Sequence, residues 1–149
     1  MRAALAIVAG IVAALAVQAV VDWVTSLIYP YAITDIWDRR QVSEAMAARP
    51  TGALLLTVLS YFLGGLAGGG VAKLIHRRGW ACWAAVGVFA LTALLVALFY
   101  PIAEWAGFAC FVAALVGGLI ANHLVAAPEA EMPVPAPAPA TEPQADANA

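Results

Sequence analysis

Residues 52–72 read GALLLTVLSYFLGGLAGGGVA, a stretch without a charged side chain. A helix needs about 20 apolar residues to cross roughly 30 Å of hydrocarbon, and this stretch has that length. It also carries glycines four residues apart, Gly64 with Gly68 and Gly65 with Gly69. Residues at that spacing share a helix face, and a face without side-chain bulk lets a second helix approach closely. The stretch therefore predicts a transmembrane helix that packs through its backbone.

Three further apolar stretches have a similar length, over about residues 3–28, 80–100 and 105–125. The whole chain is 64% hydrophobic and 11% charged, whereas an ordinary soluble domain is about 25% charged. In lipid a single segment must satisfy its own backbone hydrogen bonds, which favours helices over strands. We therefore predict an all-α fold, a four-transmembrane-helix bundle over residues 1–125 that has the lipid bilayer as its solvent.

The first stretch has a second interpretation as a cleaved signal peptide. Arg2 precedes the apolar run, and Val17-Gln18-Ala19 resembles a cleavage site. However, the run is long for a signal peptide, and hydrophobicity resumes directly after that site, from Val20 to Ile28. The pattern favours a retained transmembrane helix.

The segments between and after the spans are short or polar. Residues 41–48 are compatible with a short interfacial helix that Pro50 would end. Residues 126–149 alternate Pro with small apolar residues, mostly Ala, over 133–139, and they carry four acidic side chains and no Lys or Arg. This composition cannot form a core, so we predict a disordered, extended, acidic Pro/Ala-rich tail.

Orientation follows from the count of Lys and Arg on each side of the membrane. One side carries four such residues and the other three, the four being Arg2, Lys73, Arg77 and Arg78 and the three Arg39, Arg40 and Arg49. Aromatic residues mark the two interfaces, with Tyr29, Tyr31, Trp37, Tyr100 and Trp105 at the outer one and Trp80 and Trp83 at the inner one. Because cytoplasmic loops carry the excess of bases, the count favours both termini in the cytoplasm.

One carboxylate, Asp22, lies inside the first span, about 10 Å from its outer end at 1.5 Å per residue. A charge at this depth costs a few kcal/mol on insertion scales, and it usually has a partner or a task. Other polar residues share its helix face or lie at similar depth on the second span. The predicted intramembrane polar site therefore comprises Gln18, Asp22, Thr25, Ser26, Thr57, Ser60 and Tyr61.

Two interpretations of Asp22 stay open. It is either an interhelical hydrogen-bonding group, reached by an arginine from the first loop, or a proton or cation site. The first is favoured because Asp22 lies closer to the surface than to the midplane.

Small residues on the second and fourth spans predict where helices meet. The predicted packing residues are Gly64, Gly65, Gly68, Gly69, Gly107, Ala114 and Gly118. They indicate that the second span packs against the first or the fourth span. The same face could serve homodimerisation, although packing within one chain is the favoured interpretation.

Several other kinds of site are disfavoured. The glycine run lacks the Lys-Ser/Thr ending of a phosphate-binding loop and lies inside an apolar span. His76 and His123 have no second ligand at metal-binding spacing, so we expect no metal and no cofactor. Cys82 and Cys110 differ in depth by about 20 Å, which predicts two free thiols. Without a strongly basic face, nucleic acid is not expected as a partner.

Short motifs resemble a family of small four-span bacterial membrane proteins. They are Asp22 seven residues before Tyr29-Pro30, Arg49-Pro50-Thr51-Gly52 followed by leucines, and the glycine run 63–72 followed by bases. Pro101 and Trp105 also resemble a Pro-rich turn of that family, whereas Ile102 and Ala103 depart from it. The resemblance covers about residues 15–107. It implies a multi-pass protein of the bacterial cytoplasmic (inner) membrane and supplies no reaction or ligand.

We therefore expect a non-enzymatic integral membrane protein, a structural or accessory component that acts through helix packing. A homo-oligomer or a larger membrane complex would be its assembly. The alternative is a small oligomeric transporter or channel subunit with Asp22 as its proton or cation site. An intramembrane enzyme is disfavoured because general acid–base chemistry would need a second positioned group near Asp22.

Overall fold

The computed structural model describes residues 1–30, 37–76, 79–100 and 103–125, and of Glu104 only the backbone. It contains five helices, which are α1 (Arg2–Ile28), α2 (Arg39–Ala47), α3 (Thr51–Ile75), α4 (Gly79–Phe99) and α5 (Glu104–Leu124). No strand occurs within the described ranges. The all-α prediction is confirmed.

Helices α1, α3, α4 and α5 are long and apolar enough to cross a membrane, judged by length and composition. The shortest of them, α4 and α5, have 21 residues each, or about 32 Å at 1.5 Å per residue. This exceeds the roughly 30 Å of the hydrocarbon layer. The predicted bundle of four transmembrane helices is confirmed at this level.

Helix α3 occupies the centre of the bundle and contacts α1, α4 and α5. Helix α4 contacts α1 and α5 as well, so the four long helices close into one unit. The glycine pattern left open whether the second span packs on the first or on the fourth. The structure shows that it packs on both.

Backbone-to-backbone contact explains how α3 holds two long neighbours. A Cβ added to Gly68 would stand 2.7 Å from the carbonyl oxygen of Gly10 on α1, and one added to Gly10 would stand 2.7 Å from that of Gly68. On the other side, a Cβ on Gly65 would overlap the carbonyl oxygen of Ala114 on α5. Such contacts replace the hydrophobic drive that helices lack in lipid.

The remaining small residues receive side chains of α4. A Cβ on Gly64 would stand 2.6 Å from the Phe89 ring, and one on Gly118 would stand 2.6 Å from Val86. Gly69 meets the Cys82 sulfur at 3.1 Å by the same measure. Gly107 is buried near the start of α5. The predicted packing residues that make these contacts are thus distributed over four interfaces, α1–α3, α3–α4, α3–α5 and α4–α5.

Helix α2 lies apart from the other four and makes no close backbone contact with them. It begins two residues before the predicted helix, because the Asp38 side chain accepts hydrogen bonds from the backbone N–H groups of Arg40 (2.9 Å) and Gln41 (3.5 Å). An N-cap of this kind fixes the first turn. Arg40 and Glu44 of α2 form an ion pair at 3.1 Å, and both side chains are exposed.

Several predictions concern residues outside the described ranges. They are the interface role of Tyr31, the basic loop residues Arg77 and Arg78, the turn at Pro101 and Ile102, and the tail 126–149.

Candidate functional site

A cavity of about 160 Å³ lies at the end of the bundle where α1 finishes and α3 begins. All five helices, together with the α2–α3 linker, contribute to its wall. The lining residues are Gln18, Asp22, Met46, Arg49, Leu54, Thr57, Tyr61, Val96, Ala106 and Cys110. Four of the seven residues predicted for the polar site therefore meet at one place.

Two charged side chains line this cavity, Asp22 from α1 and Arg49 from the α2–α3 linker. Asp22 is half-buried, and the positive charge of Arg49 is close enough to act on its carboxylate. The Arg49 guanidinium also donates a hydrogen bond to the Thr57 hydroxyl at 3.3 Å. The arginine that one interpretation of Asp22 required is present in the wall of the cavity.

A chain of hydrogen bonds continues from the cavity into α4. The Tyr61 side chain is buried, and its hydroxyl lies 3.4 Å from the Thr92 hydroxyl. Thr92 donates its own proton to the carbonyl of Phe89 at 2.6 Å. Tyr61 is therefore the donor to Thr92, and Gln18 lines the same cavity as Tyr61.

Three residues of the predicted site do not line this cavity. Thr25 donates to the Val21 carbonyl at 2.8 Å and Ser26 to the Trp23 carbonyl at 2.7 Å. Ser60 donates to the Thr57 carbonyl at 2.8 Å. Each hydroxyl bonds a carbonyl three or four residues back in its own helix, a common arrangement for Ser and Thr in helices.

The polar site predicted from the sequence did not include two other lining residues, Arg49 from the α2–α3 linker and Cys110 on α5. Thr92, which binds Tyr61, was missed as well. The available signal for Thr92 was that it is the only Ser or Thr in the sequence of its span. The sequence does not show which face of that span is directed toward α3.

A second, larger pocket of about 570 Å³ lies beneath α2. Its wall is formed by the end of α1, the inner face of α2 and the start of α3, namely Thr25, Ile28, Tyr29, Pro30, Gln41, Glu44, Ala45, Ala48, Arg49, Pro50 and Ala53. Arg49 belongs to the wall of both spaces. The linker residue therefore stands between the pocket under α2 and the Asp22 cavity.

The opposite end of the bundle is held by different contacts. Lys73 donates a hydrogen bond to the carbonyl of Asn122, which joins α3 to α5. The rings of His76 and Trp80 meet edge to face, with centroids 5.6 Å apart.

Cys82 and Cys110 are both buried free thiols, as their difference in depth predicts.

The cavity can hold a proton or a few waters. It offers one carboxylate, one guanidinium, one amide and the hydroxyls of Thr57 and Tyr61. Its volume of about 160 Å³ corresponds to a few waters at about 30 Å³ each. Within the described part of the chain, no three His, Cys, Asp or Glu side chains are grouped so that they could hold a metal ion.

Neither a family model, nor a curated protein, nor a solved structure matches this chain. The resemblance to a bacterial four-span family, carried by short motifs, therefore stays a prediction. The structure and composition together indicate a multi-pass membrane protein with an all-helical fold.

Proposed function

We propose that this chain is a non-enzymatic integral membrane protein of the bacterial cytoplasmic (inner) membrane that serves as a structural or accessory component. The supporting observation is the backbone contact of α3 with both α1 and α5. Contacts of this kind leave no room for side chains to rearrange, so they favour a rigid body over a moving one.

The arrangement also bears on where a partner or a second copy would bind. Gly64, Gly65, Gly68 and Gly69 of α3 are covered by α1, α4 and α5, whereas Gly70 has open space around it. A partner would therefore meet the outward faces of the bundle, where large apolar side chains such as Leu91 on α4 are exposed. We propose assembly as a homo-oligomer or with another membrane protein through one of these faces.

We also propose that both termini lie in the cytoplasm. This proposal is supported by the count of Lys and Arg, with four on the side of the termini and three on the other side. Cytoplasmic loops carry the excess of these bases.

Site-specific photo-crosslinking in native membranes tests the accessory role. A crosslinking residue is placed at one exposed position on each long helix, namely Val12, Leu55, Leu91 and Phe108. We expect a discrete protein adduct from one or two of the four faces. Adducts with lipid alone from all four would contradict the proposal. Gly68→Leu is unsuitable here because it would disrupt the α1–α3 contact and thus folding.

A second candidate function is a small oligomeric transporter or channel subunit in which Asp22 is the proton or cation site. It is supported by the position of Asp22 in a cavity that all five helices line, instead of on a surface that faces lipid. An ionisable group of this kind inside a span commonly belongs to an ion pathway. Asp22→Asn should abolish pH-coupled flux in proteoliposomes. Wild-type flux in that variant would refute this second candidate.

A further inference from the structure

We propose that the Asp22 cavity binds a proton in preference to a metal or organic cation, and that Arg49 is its built-in counter-cation. The proposal deepens the second candidate function and rests on it for its physiological meaning. It is carried by the groups that line the cavity and by the position of Arg49 between two spaces.

The charged and titratable groups around Asp22 come from several helices. Arg49 faces it from the α2–α3 linker, Tyr61 from α3 and Cys110 from α5. The electrostatic influence of Asp22 reaches both Tyr61 and Cys110. The lining residues from α2 and α4 are Met46 and Val96, which do not ionise. Arg49 is thus the one positive charge in the described wall of this cavity.

A metal cation is disfavoured by the ligands. Hard cations are held by about six or more oxygens. Besides the Asp22 carboxylate, the cavity offers the Gln18 amide and hydroxyls that are already engaged. The Thr57 hydroxyl accepts from Arg49 and donates to the Ala53 carbonyl at 3.0 Å. The guanidinium of Arg49 repels any added cation, a proton included, so the shortage of free oxygen ligands is what disfavours a metal ion.

An organic cation is disfavoured by size. The cavity measures about 160 Å³, whereas pockets for drug-sized molecules begin at about 300 Å³. A proton needs neither a ligand shell nor space. It adds to one carboxylate oxygen of Asp22 and converts the carboxylate to a neutral acid, with no other bond broken.

Arg49 can respond to that step because it borders a second space. While Asp22 is charged, its attraction adds to the hydrogen bond with Thr57 in holding the guanidinium toward the cavity. Once Asp22 is neutral, this attraction disappears, so the guanidinium is held less firmly and can turn toward the pocket of about 570 Å³ beneath α2. Proton binding would thereby be coupled to the junction between α2 and α3.

Infrared spectroscopy of the full chain in lipid bilayers tests the proposal directly. A pH titration should reveal a protonated-carboxyl band that Asp22→Asn removes. The matched control, Asp38→Asn, removes a carboxylate that lines neither space, keeps an N-cap residue on α2, and should leave the band unchanged. Added sodium, potassium or tetramethylammonium ions should leave the titration unchanged, apart from ordinary screening. This ion arm uses the wild-type protein and does not depend on how a variant folds.

Arginine variants test the counter-cation. Arg49→Met should increase the proton affinity of the site by tenfold or more, because a nearby opposite charge commonly has an effect of about that size. Arg49→Lys keeps the charge and should restore a titration close to wild type. Arg40→Met, which breaks the exposed ion pair with Glu44, should have no effect.

Two results would overturn the proposal. One is competition of sodium, potassium or tetramethylammonium with the proton, and the other is the absence of an Asp22-dependent band at every pH. An unchanged titration in Arg49→Met would refute the role of Arg49. None of these measurements involves transport. A normal band together with wild-type flux in Asp22→Asn would therefore refute the transporter while leaving the proton site intact.

Discussion

Adding a single methyl group at Gly65 should destabilise the protein, because the space beside this residue is filled by backbone. A Cβ there would overlap the carbonyl oxygen of Ala114 and stand 2.9 Å from its carbonyl carbon and 3.0 Å from its Cα. A side chain could rotate away, but the backbone of α5 can only move as a helix. Overpacking of this kind typically costs about 1–3 kcal/mol.

Replacing Gly65 by alanine also changes the helix propensity of the residue, and this contribution to the free energy of unfolding has to be subtracted. Alanine is favoured over glycine in a helix interior by about 1 kcal/mol. Gly70, in the same helix, provides the matched control because nothing lies within 4 Å of the Cβ that would be added. Gly70→Ala should be neutral or stabilising. The difference between Gly65→Ala and Gly70→Ala then isolates the steric cost, which we expect to be about 1–3 kcal/mol.

Reversible unfolding in mixed detergent micelles measures this difference. The chain has five tryptophans, so fluorescence can follow unfolding as the fraction of denaturing detergent increases. Gly117→Ala gives a second test from the other side of the same interface, because its Cβ would overlap the carbonyl oxygen of Phe62. Equal stability of the Gly65→Ala and Gly70→Ala proteins would refute the close α3–α5 contact.

Three further predictions use the same preparation. Tyr61→Phe keeps the ring against Phe89 but loses the hydroxyl bonded to Thr92, so unfolding should become easier by about 0.5–1.5 kcal/mol. Arg40→Ala removes the exposed Arg40–Glu44 ion pair. It should change the free energy of unfolding in detergent by no more than about 0.5 kcal/mol. The two buried cysteines should resist a thiol reagent in the folded protein and both react after denaturation. Rapid labelling of the folded protein would contradict their burial.

The sequence predicts the helices well because the length and hydropathy of a membrane span are local properties. The neighbours of each helix were harder to predict. Consecutive helical residues are about 100° apart around the helix axis. The pair Gly64 and Gly68 therefore faces a different direction from the pair Gly65 and Gly69. Their pattern indicates close packing without saying which helix is on which side. In the structure, α3 has α1, α4 and α5 as neighbours on three sides.

The polar site was predicted in part for a related reason. Depth along a span can be counted from the sequence, which placed Asp22 level with Tyr61. Whether a hydroxyl bonds its own helix or points toward a neighbour depends on rotamer and helix rotation. Ser26 and Ser60 bond their own helices, whereas Thr92 receives the bond from Tyr61. Arg49 lies in the cavity wall because the α2–α3 linker packs against the bundle.

Cysteine accessibility across a membrane tests most directly whether the long helices span it. In a variant with Cys82 and Cys110 replaced by alanine, single cysteines are placed at Ala47, at the end of α2, and at His76, just beyond α3. A membrane-impermeant maleimide is then applied to right-side-out and to inverted vesicles. We predict that the two positions are labelled from opposite sides, because α3 would separate them by one bilayer. Labelling of both positions from the same side would contradict the four-span bundle.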